Sequence, residues 1–216
     1  VARYRRLMGD KVFFNFGTDE HGQKIYQKAF EEGKDPQAYT DEYAASFDAL
    51  KEGLNLSYDA FIRTTNPYHK AAAQEFWKRC AAAGDIYKKQ YQVKYCIGCE
   101  LEKTESELVD GRCPLHSNQE MQIIEEENYF FRFSKYTAEI KKRIESGELD
   151  VAPVSRKNEI MSLLMSGLED VSFSRPAKDL SWGVPVPDDP TQMIYVWCDA
   201  LVNYISAIGY GHDDHE

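Results

Sequence analysis

Val12-Phe13-Phe14-Asn15-Phe16 runs directly into Gly17-Thr18-Asp19-Glu20-His21-Gly22, and the junction between these two stretches decides how the chain folds. A continuous apolar run of this length predicts a strand covered on both faces. The polar, glycine-flanked segment after it sits where open α/β sheets place their ligands, beyond the carboxyl end of a buried strand. Upstream, Val1 to Met8 reads as the last turns of an amphipathic helix closed by Gly9, with no start signal and no initiator Met. A polar tail containing His212 and His215 ends the sequence without a stop. The expectation is a chain cut at both ends.

Downstream, a helix is expected from Gln23 to Glu32, stopped by Gly33. Asp35 as N-cap and Pro36 at the first helical position start another. On that helix Tyr39, Tyr43, Phe47 and Leu50 recur at helical spacing, which predicts a buried aromatic stripe. Tyr58 to Arg63 reads as a second strand, and Asn66-Pro67 opens a third helix with Ala73, Phe76, Trp77 and Cys80 inward, ended by Gly84. Strands alternating with helices at this spacing predict a parallel sheet with crossover helices.

After Gly84 the pattern changes. Ile86 to Tyr95 alternates in a β-prone way and delivers the chain to Cys96-Ile97-Gly98-Cys99, which thirteen residues separate from Cys113-Pro114-Leu115-His116. Two close-spaced ligand pairs joined by a loop suit a four-coordinate zinc, and filling all four positions with protein groups makes the site structural. The alternative is a chance cluster of free or disulfide-bonded cysteines, but His116 completes the pattern in a register that a disulfide does not require. Asn128 to Phe133 reads as a strand. Ser134 is expected to cap a helix with Tyr136, Ile140 and Ile144 inward, and Ser155 one with Ile160, Leu163, Leu164 and Leu168 inward, ended by Gly167. The prolines between Ser172 and Pro187 predict an irregular return path, through Arg175 and Asp179. Met193 to Trp197 reads as a buried strand that turns into a helix at about Asp199.

Composition limits the function classes. With 216 residues, 43% of them hydrophobic and 13% aromatic, the chain can bury one substantial core and a smaller one. No run of about eighteen apolar residues and no signal segment is present, so no membrane association is expected. The five cysteines are an odd number, three of them assigned to metal, with Cys80 and Cys198 far apart, which fits a reducing cytoplasm. A net charge of -10 argues against a surface given over to nucleic acid. Local basic clusters, such as Arg3, Arg5 and Arg6 or Lys141, Lys142 and Arg143, read as solvated faces or phosphate contacts.

Gly17 to Lys24, the two ligand pairs, Glu127 to Arg132, Ser174-Arg175-Pro176, Trp182-Gly183-Val184-Pro185 and Tyr195 to Tyr204 together resemble the methionyl-tRNA synthetases, class I aminoacyl-tRNA synthetases, in the order that family has them. The resemblance implies an α/β, Rossmann-like parallel sheet with an inserted small zinc-binding connective domain. It assigns residues 1–84 to the end of the first Rossmann half, 85–184 to the insertion and 185–216 to the start of the second half. It implies a parent enzyme that activates L-methionine with ATP, with magnesium expected, and transfers it to tRNA(Met). Asp19 would hold the methionine ammonium. Trp197, Ala200 and Leu201 would wall its side chain, and Tyr204 would offer a hydroxyl to its sulfur. Cys96, Cys99, Cys113 and His116 would hold the zinc. Arg175 is a possible holder of an anionic group, or pairs with an acid to fix the return path. His21 and His69 receive no catalytic role. The family's His-Ile-Gly-His and Lys-Met-Ser-Lys-Ser segments, which handle ATP, are not in this sequence, so the 216 residues are expected to be inactive alone. The rival readings are a zinc-bearing tRNA-binding module without catalysis, and a class I synthetase for leucine, isoleucine, valine or cysteine.

Overall fold

A computed structural model describes residues 1–96, 98–99, 101–103, 107–178 and 180–211, apart from the side chains of 91, 93, 95, 101, 102 and 124. Ile97, Asp179, His212 and His215 lie outside the described residues. The chain forms two compact units, one of Val1–Ile86 with Ser172–Glu216 and the other of Tyr87–Val171.

In the first unit, α1 (Ala2–Leu7) precedes β1 (Asn15–Thr18), α2 (Gln23–Glu31), α3 (Pro36–Gly53), β2 (Ala60–Arg63) and α4 (Pro67–Ala82). β1 and β2 pair in parallel from Asn15 opposite Ala60 to Thr18 opposite Arg63, with α2 and α3 forming the crossover that a parallel pair requires. This is the expected α/β arrangement. β1 is shorter than the apolar run predicted, because its partner begins only at Ala60. Phe14 instead donates its N–H to the Asp59 carboxylate at 2.7 Å, and Phe13 is left exposed. Phe16 stacks on Tyr58 with ring centroids 5.4 Å apart.

Local chemistry sets the helix starts. Asp35 Oδ2 accepts from the N–H groups of Gln37 and Ala38 at 3.0 and 3.2 Å, with Pro36 supplying the first-turn φ. The aromatic stripe expected on α3 is not buried as a unit. Tyr39 is inside with Thr40 and Ala44, whereas Tyr43, Phe47 and Leu50 remain exposed, since small side chains make the face that packs on β1 and α2. On α4, Ala72, Ala73 and Trp77 are buried as expected together with His69, while Phe76 and Cys80 are only half-buried.

The stretch expected to be irregular forms a three-stranded sheet. β7 (Ser174–Pro176), β8 (Pro185–Val186) and β9 (Asp189–Ile194) take the order β7-β9-β8, and β9 is antiparallel to both neighbours. Pro176 and Pro185 sit on the two edge strands, where a missing N–H costs no ladder bond on the open side. The strand predicted over Met193 to Trp197 therefore ends at Ile194. Tyr195 is the N-cap of α7 (Val196–Leu201), followed by α8 (Asn203–Ser206), so this segment enters an antiparallel sheet and a helix rather than a further parallel strand.

In the second unit a sheet takes the order β4-β3-β5-β6, built from β3 (Ile86–Cys96), β4 (Leu101–Lys103), β5 (Gln122–Phe131) and β6 (Val171–Ser172). β3 and β4 are antiparallel, with Cys96 opposite Leu101. β5 starts six residues earlier than the sequence suggested, taking in the three glutamates. Ser134 does not cap a helix. It lies in a 3-10 turn, Phe133–Tyr136, and its N–H and hydroxyl both bind Asp170, at 3.1 and 2.6 Å. α5 (Thr137–Glu145) buries Ile144, and α6 (Val154–Ser166) buries Leu164 but leaves Ile160 and Leu163 exposed.

Gly17 is the tightest point of the parallel pair, since a Cβ there would stand 1.8 Å from the Ile62 carbonyl oxygen. Gly17→Ala is expected to lower stability by about 1–3 kcal/mol through forced separation of the strands. Gly53→Ala, with open space around it, should leave stability within about 0.5 kcal/mol of the parent. Urea unfolding of the two variants checks the contrast, and equal midpoints would contradict it.

Candidate functional site

Where β1 ends, the chain presents Thr18, Asp19, Glu20 and His21 in succession and sends their side chains to different destinations. Asp19 lines a cleft of about 270 Å³ together with Asn15, Gly17, Thr64, Ala200, Asn203 and Tyr204. Glu20 is buried and acts as the anchor. Its carboxylate accepts from Thr18 Oγ1 at 2.6 Å, from Arg63 Nε at 2.7 Å and from the Thr65 hydroxyl. Its N–H donates to Thr64 Oγ1 at 2.9 Å, and its carbonyl accepts from the Trp182 indole N–H at 2.7 Å. With Glu20 fixed at both backbone and side chain, Asp19 cannot turn inward, and it stays at the open edge of the cleft.

His21 points into the core, where Nδ1 lies 2.5 Å from Asp199 Oδ2. The other oxygen of Asp199 is 2.9 Å from His69 Nε2, and His69 Nδ1 is 2.9 Å from Ser206 Oγ. All four side chains are buried. Burial by itself pushes the Asp199 carboxyl up, but the hydrogen bonds from His21 and His69 outweigh it and hold the group below the ordinary carboxylate value. An ionised carboxylate only accepts, so the nitrogens facing it, His21 Nδ1 and His69 Nε2, carry the hydrogens.

Asp19 goes the other way. Crowding by protein raises its carboxyl from 3.8 to about 6, and the negative charge of Asp199 adds to the rise, while His21 opposes it. Solvent at the open edge screens part of this effect. The cleft therefore presents a carboxylate whose charge a cationic ligand would stabilise. On the facing helices, Asn203 Oδ1 accepts from Asn15 Nδ2 at 2.8 Å, tying α8 to β1.

Of the residues singled out in the sequence, Asp19, Ala200 and Tyr204 line this cleft together. Trp197 and Leu201 lie on the same helical stretch, 63% and 58% exposed, and are not among the lining residues. Arg175 forms local bonds, from Nη1 to Ser172 Oγ and to the Ser174 carbonyl, both at 2.8 Å, and its guanidinium lies 4.4 Å from the Tyr195 ring centroid. The sequence reading gave His21 and His69 no catalytic role and gave Glu20, Asp199 and Asn203 no place in the site. For Glu20 and His21 the local signal was the density of polar groups directly after a buried strand.

The second cluster belongs to the other unit. Cys96 ends β3, Cys99 follows in a turn, and Cys113 and His116 close a turn through the His116 N–H and the Cys113 carbonyl at 3.1 Å. Their four ligand atoms lie within 4.8 Å of one another. Sγ to Nδ1 distances are 3.6 Å from Cys96, 3.2 Å from Cys99 and 3.9 Å from Cys113, and Cys99 Sγ is 3.4 Å from Cys113 Sγ. Zinc–sulfur bonds of about 2.3 Å and zinc–nitrogen bonds of about 2.0 Å give tetrahedral edges of roughly 3.5–3.8 Å, so the donor set fits a metal ion of that kind. All five cysteines are free thiols, which excludes a disulfide at this cluster. Gly98 is required by the approach of His116, whose ring would be 2.4 Å from a Cβ.

A family model described as tRNA synthetases class I (M) matches residues 1–123 and 102–216. A methionine–tRNA ligase of Thermosynechococcus vestitus is 48% identical over 209 residues, 96% of this chain and 39% of that protein. One of Thermotoga maritima is 47% identical over 218 residues, 99% of this chain and 34% of that protein. The crystal structure of Mycobacterium tuberculosis methionyl-tRNA synthetase bound by methionyl-adenylate superposes with a TM-score of 0.84 at 40% identity, covering all of this chain and 43% of that one. The chain thus spans about a third to two fifths of the length of these curated relatives. Matched from end to end by the family model and at close to half identity by those relatives, the chain belongs to the methionyl-tRNA synthetases of class I.

Proposed function

We propose that the cleft at the end of β1 is the amino-acid site of an enzyme that activates L-methionine with ATP and transfers it to tRNA(Met). The observation that carries this reading is the Asp19 carboxylate, held at the edge of a cleft walled by Ala200 and Tyr204, in a chain of this family. Asp19 would accept from the α-ammonium, a charge-assisted contact worth about 1.5–3 kcal/mol. The cleft lies just below the roughly 300–1,000 Å³ of sites for drug-sized ligands, which suits a molecule of amino-acid size. Trp197 and Leu201 stand exposed beside it, and apolar side chains gain from covering a ligand's thioether chain. Tyr204 would donate its hydroxyl to the sulfur. Sulfur accepts weakly, so selection would rest on the fit of the wall as well, where one methylene of misfit is worth only about 1–3 kcal/mol. Attack of the methionine carboxylate on the α-phosphate of ATP would then be favoured by positioning. Magnesium would accompany the ATP, and Arg175 would hold an anionic group of the substrate or adenylate.

The full reaction is proposed for the protein at its relatives' length, because the two segments that the family resemblance assigns to ATP are not among these 216 residues. Methionine-dependent exchange of pyrophosphate into ATP tests it. Activity is expected from the full-length protein and not from the 216 residues alone, and a full-length protein that exchanges with leucine or valine but not methionine would refute it. Among the described residues no helix is long and apolar enough to cross a membrane, and cytoplasmic residence is part of the same proposal.

The charge on Asp19 sets a pH dependence. Protein crowding raises its carboxyl above the ordinary value, toward about 6, so the anion that binds the ammonium predominates above that raised value and is lost as the pH falls through it. In the full-length protein, kcat/KM for methionine is expected to show an acid limb between the ordinary carboxylate value and about pH 6, since that parameter reports the free enzyme. Asp19→Asn should raise the methionine KM by about 10- to 150-fold and abolish the limb. A limb that survives the substitution would contradict the assignment.

We also infer that Cys96, Cys99, Cys113 and His116 hold one structural zinc ion, which would contribute roughly 10–16 kcal/mol of apparent binding free energy to a unit with little apolar core. Metal analysis should find about one zinc per chain and none in Cys113→Ser. Chelation should unfold residues 87–171, seen as loss of β-sheet circular dichroism, while the 1–86 and 172–216 unit keeps its signal. No spectral change on verified metal removal would overturn the structural role.

A further inference from the structure

Among the described residues of the first unit Asp199 is the most deeply placed acid, fully buried, and the proposed chemistry makes no use of it. Its carboxylate joins three separate pieces of chain, its own and two others. His21 comes from the loop that carries Asp19, His69 from the first turn of α4, and Asp199 itself from the helix that carries Trp197 and Ala200 and leads into Tyr204. His69 extends the connection to Ser206 on α8. The partners are 178 and 130 residues away in sequence, so no local structure brings them together.

We propose that Asp199 is a positioning residue for the amino-acid site: clasped by His21 and His69, it fixes the Asp19 loop against the helix that supplies the opposite wall. This rests on the reading of the cleft given above. Two consequences follow, one from the clasp and one from the charge. Without the clasp, Asp19 and Tyr204 lose their common reference, and a ligand that needs both binds less well. Without the charge, one of the groups acting on Asp19 is removed. Those groups are Asp199, which disfavours the Asp19 anion, and His21 and His69, which favour it. Removing the Asp199 charge therefore makes Asp19 easier to ionise. Among the described residues His21 Nε2, which is buried, has no hydrogen-bond partner, so the polar hold on the His21 ring runs through Nδ1 to Asp199, beside an edge-on contact with the Trp182 ring 5.6 Å away.

The test uses the full-length protein and two substitutions, Asp199→Asn and His69→Gln, assayed by methionine-dependent pyrophosphate exchange across pH, with thermal midpoints recorded. Asp199→Asn is expected to raise the methionine KM by about tenfold, to leave the ATP KM within about twofold, and to move the acid limb of kcat/KM to lower pH. A purely structural residue would not move that limb. His69→Gln keeps the charge and loosens one arm of the clasp. It should raise the methionine KM by about threefold with no downward movement of the limb. An unchanged methionine KM in a folded Asp199→Asn protein, or a limb that stays in place, overturns the proposal. If Asp199→Asn does not fold, an unchanged methionine KM in His69→Gln does so. An unsubstituted protein with no methionine-dependent exchange removes the reading of the cleft and this proposal with it, whereas an active one matched by its variants removes the positioning claim alone.

Discussion

A buried carboxylate with two imidazole N–H donors is the constraint around which the first unit is arranged. Leaving an ionised Asp199 without partners in the core would cost several kcal/mol, so the loop after β1 and the start of α4 must both deliver a histidine to it. The helix then has no freedom of rotation. Residues two apart on a helix lie about 200° around the axis, so an inward Asp199 requires an outward Trp197, with Leu201 and Tyr204 on the same side. The burial follows this rule: Cys198, Asp199, Val202 and Ser206 are inside, while Trp197, Leu201 and Tyr204 are exposed. The same interaction that stabilises the core thus orients an apolar face beside the cleft.

Glu20 does the equivalent work at the end of β1. Its neighbours in sequence, Asp19 and His21, have opposite fates because Glu20 is tied down by Arg63, Thr18, Thr64 and Thr65, leaving one neighbour facing the cleft and the other the core. The tight approach of β1 and β2 at Gly17 brings the chain to that point. The other unit follows a different principle. It buries few large side chains, among them Phe130, Ile144 and Leu164, and gathers three thiols and an imidazole at tetrahedral spacing, so a bound ion rather than apolar burial would supply much of its stability.

What could be read from the sequence was whatever has a local cause. The Asp35-Pro36 helix start, the β-prone delivery of Cys96 and the polar segment after the first strand each rest on residues within a few positions of one another. The Cys/His set was legible because its ligands occur in two close pairs. The boundary at Tyr195 was not, since Met193 to Trp197 is apolar enough for either a strand or the first turn of a helix, and only the antiparallel pairing with β7 and β8 ends the strand at Ile194. Prolines at 176 and 185 were read as excluding a sheet, whereas they mark its edges. The stripe of Tyr43, Phe47 and Leu50 has helical spacing, yet the structure leaves all three exposed. The Asp199 network was hidden for the plainest reason, as Asp199 lies more than a hundred residues from each of its two histidines.

The central claim, that the end of β1 and the face of α7 and α8 enclose a methionine, is most directly tested by a crystal structure of the protein with L-methionine. The ammonium is predicted within about 2.7–2.9 Å of an Asp19 carboxylate oxygen, with the thioether chain against Ala200 and Tyr204. Methionine bound elsewhere, or in the cleft with its ammonium turned away from Asp19, would contradict the account.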